Sequence, residues 1–162
     1  MTATATLTVT APLDGSVVAL TDVPDPVFAG QILGSGSAIE PADGATDVVV
    51  VAPVAGKLVK VHPHAFVILD DSGTGVLVHL GIDTVRLHGA GFTLHVTEGD
   101  RVEVGEPVVT FDPSAVRAAG MSAVCPVVVM QSPADSTTAS TAAGLTVRRD
   151  QPLFTWAAAA TA

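Results

Sequence analysis

The sequence predicts an all-β domain: a compact antiparallel β-sandwich or partly closed barrel with one or two short helical turns. Three observations carry this. Apolar residues make up 48% of the chain and are mostly Val and Ala with Thr common beside them, and Val and Thr favour strands. Fifteen glycines and eleven prolines recur at short intervals, as many short strands joined by turns require. Only one segment carries both helix start and stop signals. A chain of 162 residues can bury one real core. No long linker and no second core are expected, so residues 1–162 are read as a single domain with its core at about 7–156 and ragged termini.

The elements follow in order. Residues 1–6 are a small-residue start and 157–162 a frayed tail. Leu7–Pro12 and Gly15–Leu20 read as strands, and the prolines of Thr21–Pro26 mark a loop. Gly34–Ser37 leads into an extended Ala38–Pro41, and Asp43–Thr46 is a turn before Val48–Pro53. In Lys57–His62 the alternation places Val59 and Val61 on one face and Lys60, His62 and His64 on the other. Phe66–Leu69, the polar Asp70–Gly75 and a second apolar run from Val76 predict a hairpin. Phe92–Val96 is a further strand. Thr97–Phe111 has the glycine turns and alternation of biotinyl and lipoyl carrier domains, but no carrier lysine stands at a hairpin tip. Asp112 as cap, Pro113 at the first helical position and Gly120 as stop predict the helix. Residues 131–142 are loop-like, with strands expected around Leu145–Val147 and Pro152–Trp156.

Composition excludes some functions. The net charge is −9 with only seven Lys and Arg, so there is no basic footprint for nucleic acid. No stretch of about 18 apolar residues predicts a membrane span. Cys125 is a lone cysteine in an apolar run, read as a buried inert thiol in a reducing compartment. With no basic leader at the N-terminus, a cytoplasmic location is the expectation. Phosphate-loop, dinucleotide, serine-elbow and paired-cysteine signatures are missing.

What remains is histidine. If the hairpin turn centres near residues 72 and 73, His64 faces about residue 81, and His79 is its diagonal neighbour at roughly 7–8 Å between backbones. Two imidazoles converging from there can share a phosphoryl group or a metal ion. Spacing alone leaves three readings open: exposed strand histidines, a metal pair, or phosphoryl chemistry. His88 and His95 read as surface or satisfied core residues, and Asp70 and Asp71 as solvated turn acids.

The wider residues narrow the choice. His64-Ala65-Phe66, Val78-His79-Leu80-Gly81-Ile82-Asp83-Thr84-Val85 and Leu87-His88-Gly89-Ala90-Gly91-Phe92 fall in series, between Val23–Ala29 and Glu98–Val102. From about Pro12 to about Phe154 the chain closely resembles the glucose-type IIA domains of the bacterial sugar phosphotransferase system. The resemblance implies a sandwich of the duplicated hybrid motif type with one shallow site and no cofactor or metal. It implies His79 as phosphoryl acceptor and His64 as its partner. The donor would be the phosphocarrier protein HPr and the acceptor a cysteine on the IIB domain of a sugar permease. Transporters or enzymes regulated through the same face are further implied partners.

Physical reasoning agrees with those roles. Neutral imidazole is a good nucleophile near cellular pH. One nitrogen attacks while the other keeps its proton, held by a carbonyl near Gly81; His64 donates to phosphate oxygens. His62, Gly81 and Asp83 are assigned around the phosphate. Phe28, Leu77 and Val85 are assigned to an apolar docking rim. One departure stands out: His62 lies two residues before His64, where the family commonly carries a threonine, and a third imidazole there would make transfer more pH-dependent. The alternative function is a zinc-dependent peptidase using His62, His64 and His79. The spacings His62-x-His64 and His79-x₃-Asp83 resemble those of lysostaphin-type enzymes, but in reversed order.

Overall fold

The computed structural model describes residues 6–157; the readings of the first five residues and of the tail beyond Ala157 lie outside them. The chain begins with strands β1 (Thr6–Thr10) and β2 (Gly15–Ala19). A 3-10 turn, Leu20–Asp22, and a short helix α1, Pro26–Ala29, come next. Then follow β3 (Gly34–Glu40), β4 (Val48–Val51), β5 (Gly56–His62), β6 (Ala65–Leu69) and β7 (Gly75–His79). After a second 3-10 turn, Thr84–Leu87, come β8 (Phe92–Leu94), β9 (Arg101–Val102) and β10 (Pro107–Phe111). Helix α2 (Pro113–Ala118) precedes β11 (Cys125–Met130), β12 (Thr137–Ala139), β13 (Thr146–Val147) and β14 (Pro152–Ala157).

Eight strands form one antiparallel sheet in the order β13-β2-β3-β11-β7-β6-β5-β9. Two three-stranded sheets, β1-β14-β12 and β4-β10-β8, supply the rest. The inner face of the large sheet carries Ile39, Phe66, Ile68, Val76, Val78, Val127 and Val129. These pack with Val9 of β1, Val50 of β4, Val109 and Phe111 of β10 and Phe154 of β14 in one main core. The mostly antiparallel β architecture matches the fold class read from the sequence.

A second, smaller apolar cluster was not expected. It lies on the outer face of the same sheet and joins Ala38, Ala65, Leu77 and Val128 to Leu20, Val23, Phe28 and Ile82. Its existence explains the unbroken apolar run of β11. Val127 and Val129 face the main core while Val128 faces the satellite, so both sides of this strand are buried.

Several local readings need correction. The loop read at Thr21–Pro26 begins with the end of a 3-10 turn and runs into α1 at Pro26, where Asp25 is the cap: one carboxylate oxygen accepts from the N–H groups of Val27 and Phe28 at 2.8 and 3.4 Å. Gly34–Ser37 lies inside β3, paired with Val127–Met130 of β11. Within 131–142 the residues Thr137–Ala139 form a strand, paired with β14. Helix α2 is capped by Asp112, as the sequence indicates, through bonds from Ser114 and Ala115 at 3.0 and 3.3 Å. The alternation in β5 is interrupted: the register slips between Leu58 and Lys60, so Leu58 and Val61 both point inward while Lys60 and His62 point out.

Candidate functional site

The site stands on the outer face of β5, β6 and β7. In the ladder Ala65 pairs with His62 on one side and with His79 on the other. Partners across a ladder project to the same face, so His62, Ala65 and His79 form one row over three strands. Ala65 contributes only a methyl group, and the row stays open above it.

His64 enters from a different place than alternation predicts. It is not on a strand. The His62–Ala65 pair closes a two-residue turn, Pro63-His64, between β5 and β6. The expected partner near residue 81 is also one position off: the N–H of Leu80 donates to the His64 carbonyl at 2.7 Å. The turn still swings the His64 ring over the row. Its centroid lies 5.3 Å from that of His79, nearly edge-on, and 5.7 Å from that of His62, stacked with 25° between planes. Phe28 completes the line, 5.2 Å from His79 on the side toward α1. Four rings thus run in the order Phe28, His79, His64, His62.

His79 is held by one short bond: its Nδ1 lies 2.6 Å from the Gly81 carbonyl oxygen. A carbonyl can only accept, so Nδ1 carries the proton and Nε2 keeps its lone pair. Gly81 itself is fixed. Its φ is +78°, the Ile82 N–H donates to the Ser122 carbonyl at 2.9 Å, and the Thr84 hydroxyl donates to the Leu80 carbonyl at 2.7 Å. Burial pushes the His79 pKa below the ordinary imidazole value; the Gly81 bond and the charges of Asp25 and Asp83 pull it back part of the way. Burial also lowers the His64 pKa, helped by His79 and then His62. Both rings are therefore biased toward the neutral form.

The remaining site candidates divide. Phe28 and Leu77 are 6% and 8% exposed, so they form the floor under the rings rather than a rim. Val85 is 59% exposed and does stand at the surface, on the second 3-10 turn. Asp83 is exposed in a left-handed conformation just before that turn. His88 is exposed at its far end, and the His95 Nε2 lies 2.7 Å from the Thr110 hydroxyl in another sheet. Asp70 takes bonds from Ser72 and Thr74 within its own turn, and Asp71 pairs with Arg101 at 2.9 Å. The Cys125 thiol is fully buried and pushed up to about 12 by that burial. Sequence reasoning missed Asp25 and Ala65. The first was visible as an Asp-Pro pair like that of α2; the second has meaning only once the ladder register is known.

The zinc alternative fails on geometry. A catalytic zinc needs three protein ligands converging on a point. Among the described residues no group of three or more His, Cys, Asp or Glu side chains is placed to hold a metal ion. The three imidazoles lie in a line, and the His79 Nδ1 is already engaged. Nor is any helix among the described residues long and apolar enough to cross a membrane.

Comparisons with known proteins identify the family. A family model described as phosphoenolpyruvate-dependent sugar phosphotransferase system, EIIA 1, matches residues 7–134. A glucose-specific EIIA component of Halalkalibacterium halodurans is 50% identical over 121 residues, covering 74% of this chain and 68% of that protein. One from Bacillus cereus is 42% identical over 124 residues, covering 75% and 73%. A glucose-specific EIICBA component of Streptococcus pneumoniae is 50% identical over 109 residues, which are 66% of this chain and only 14% of that longer protein. The solved glucose permease IIA of Mycoplasma capricolum superposes with a TM-score of 0.80 at 35% identity, over 93% of this chain and 96% of that one.

Proposed function

The chain belongs to the EIIA 1 family of the phosphoenolpyruvate-dependent sugar phosphotransferase system, and on that footing we propose that His79 is the residue that carries the phosphoryl group. The chain is a phosphoryl carrier of that system. One observation carries the choice of residue: His79 has Nδ1 committed to the Gly81 carbonyl at 2.6 Å and a free Nε2 beside a second imidazole.

The transfer balances without a moving proton. The Nε2 lone pair of neutral His79 attacks phosphorus, and the bond from phosphorus to the donor imidazole breaks. The donor nitrogen leaves with the electron pair of that bond. The Nδ1 proton stays on His79, bonded to Gly81, so the ring takes positive charge as the phosphoryl oxygens bring negative charge. That ring is a good leaving group, which keeps the phosphoryl group transferable. His64 is the neighbour placed to donate a hydrogen bond to those oxygens as they arrive and depart. The lowered pKa of His79 keeps its lone pair available, since a protonated imidazole cannot attack.

The donor in this reading is HPr and the recipient a cysteine of a IIB domain, in the cytoplasm. Relatives named EIICBA and EIIBCA components support a IIB partner, because their names join the three units in one protein. Val27, Ile32 and Val85, exposed by 38%, 72% and 59%, supply apolar surface at and beside α1 and the second 3-10 turn for such partners. Phosphate on His79 places about two negative charges beside that surface. A greasy partner that binds the free form would then be released, which gives the same face a regulatory use.

The test is incubation with phosphoenolpyruvate, enzyme I and HPr, followed by mapping of acid-labile phosphate. It is expected on His79. His64→Gln should still accept phosphate and pass it on poorly. Phosphate on any other residue refutes the assignment.

A further inference from the structure

We propose that a slot on the inner face of the large sheet binds a small uncharged polyhydroxyl compound, with the Ser37 hydroxyl as its deepest polar contact. The slot lies on the other side of that sheet from the histidine row, and the proposal does not depend on which residue carries phosphate.

The alternation in β3 is the starting point. Ile39 enters the main core, so Ser37 and Ser35 face inward as well. Their ladder partners agree, since Val127 and Val129 of β11 also belong to that core. Inward positions of a sandwich are ordinarily apolar. Ser35 has its reason: its hydroxyl lies 2.7 Å from that of Thr137 and ties β3 to β12. Ser37 has none of this kind. It is 7% exposed and makes no hydrogen bond among the described residues. No polar side-chain atom among those residues is sealed off without a partner, so the Ser37 hydroxyl opens into the space beside it.

That space is a slot of about 250 Å³, with β2 and β3 on one side and residues 135–143 on the other. Ala19, opposite Ser37 in the ladder, and Ala139 are too small to fill it. Its rim is braced. Gln31 and Asp135 exchange two hydrogen bonds, at 2.9 and 2.8 Å, with both backbones in the left-handed region at φ +53° and +58°. L-residues seldom adopt that conformation, so their surroundings hold it. The pair joins the loop before β3 to the loop before β12, which sets the width of the slot before anything enters.

The chemistry of the lining selects the ligand. It holds no Lys, Arg or His, so an anion such as a phosphate ester finds no cation. Its one carboxylate, Asp135, is exposed and already bonded to Gln31, which leaves little for a cation. An apolar molecule would bury the Ser37 hydroxyl unpaired. Ser37, Thr21 and Thr141 carry hydroxyls that both donate and accept, and ligand hydroxyls can answer them either way. Water does the same, but the slot has room for several waters. A polyol reproduces their bonds and releases them together.

The test is an amide-shift NMR titration of the full chain with xylitol, with xylitol 5-phosphate as the charged control. Xylitol should give saturable shifts at residues 35–37 and 137–141, and the phosphate ester should give none there. Ser37→Ala should weaken xylitol binding about fivefold, the loss of one hydrogen bond, with urea stability unchanged. No saturable shift, shifts confined to other residues, equal binding by Ser37→Ala, or equal shifts from the phosphate ester overturns the proposal. The wild-type shift map places the ligand by itself, so the location is decided even where the variant does not fold.

Discussion

Gly81→Ala probes how firmly the His79 ring is held. Gly81 has a φ of +78°, a conformation that costs an L-residue about 1–2 kcal/mol. A methyl group there would also lie 2.6 Å from Thr84 Cγ2 and 2.9 Å from the Ser122 carbonyl oxygen. Neither neighbour is free to yield. Thr84 is 1% exposed and tied to the Leu80 carbonyl, and the Ser122 carbonyl accepts the Ile82 N–H. Overpacking at so rigid a place adds about 1–3 kcal/mol. Gly44→Ala is the control, because Gly44 has the same φ of +78° and nothing within 4 Å of the added carbon. Urea unfolding of both variants should therefore differ by about 1–3 kcal/mol, with Gly81→Ala the less stable. Folded Gly81→Ala should also accept phosphate more slowly in single turnover, since the carbonyl that fixes Nδ1 is displaced. Equal losses for the two variants would refute the rigid 79–84 turn, and with it the account of how His79 is oriented.

Four further outcomes follow from the same geometry. Burial holds His79 and His64 below the ordinary imidazole value of 6.5, so the unfolded chain binds more protons as pH falls. The stability they contribute is complete above 6.5 and is lost as pH falls through their folded values; urea midpoints should drop from about pH 7.5 to about pH 5, and less so in His79→Gln. Asp25→Asn keeps the cap of α1 but removes a charge that supports the His79 cation, so the His79 titration should move down while stability holds. Phe28→Ala opens the floor beside His79: about 3 kcal/mol of stability should be lost, and the His79 titration should move back up as water enters. Cys125 should resist thiol reagents in the native protein and react only on unfolding, because it is fully buried with its thiol pushed up to about 12.

Much of the fold was legible because strand residues and turn residues separate cleanly along the chain. The hairpin of β6 and β7 could be read from Asp70–Gly75, whose turn Asp70 closes with three bonds from Ser72 and Thr74. The Asp112-Pro113 pair announced α2. The same pairing in Asp25-Pro26 announced α1 equally well, but the closely spaced Pro24 and Pro26 and the brevity of the helix concealed it. What no local pattern shows is that β11 is covered on both faces. An apolar run has no periodicity to divide, so the satellite cluster beneath the site emerges only from strand order.

The two histidines were brought together by the right hairpin but for an incomplete reason. Alternation assumed that His64 continues β5, whereas Pro63 and His64 turn the chain and Ala65 already belongs to β6. The slip at Val59 matters too, because without it Leu58 and His62 would share a face. One bulge and one tight turn therefore decide that the three imidazoles meet on the outside.

That outside position also resolves a conflict built into a phosphoryl carrier. A nucleophilic imidazole gains from burial, which keeps it neutral, while a carrier must meet a large protein at its reacting atom. With His79 as the proposed acceptor, both demands are met by dividing its ring. The Nδ1 edge is sealed against Gly81, with Phe28 and Leu77 below, and Nε2 is left beside His64 at the end of a central strand. A deeper site would lose the partner and a flatter one the neutral ring. Any substitution that wets the floor should therefore lower acceptance at mildly acidic pH first, before it alters binding of the partner.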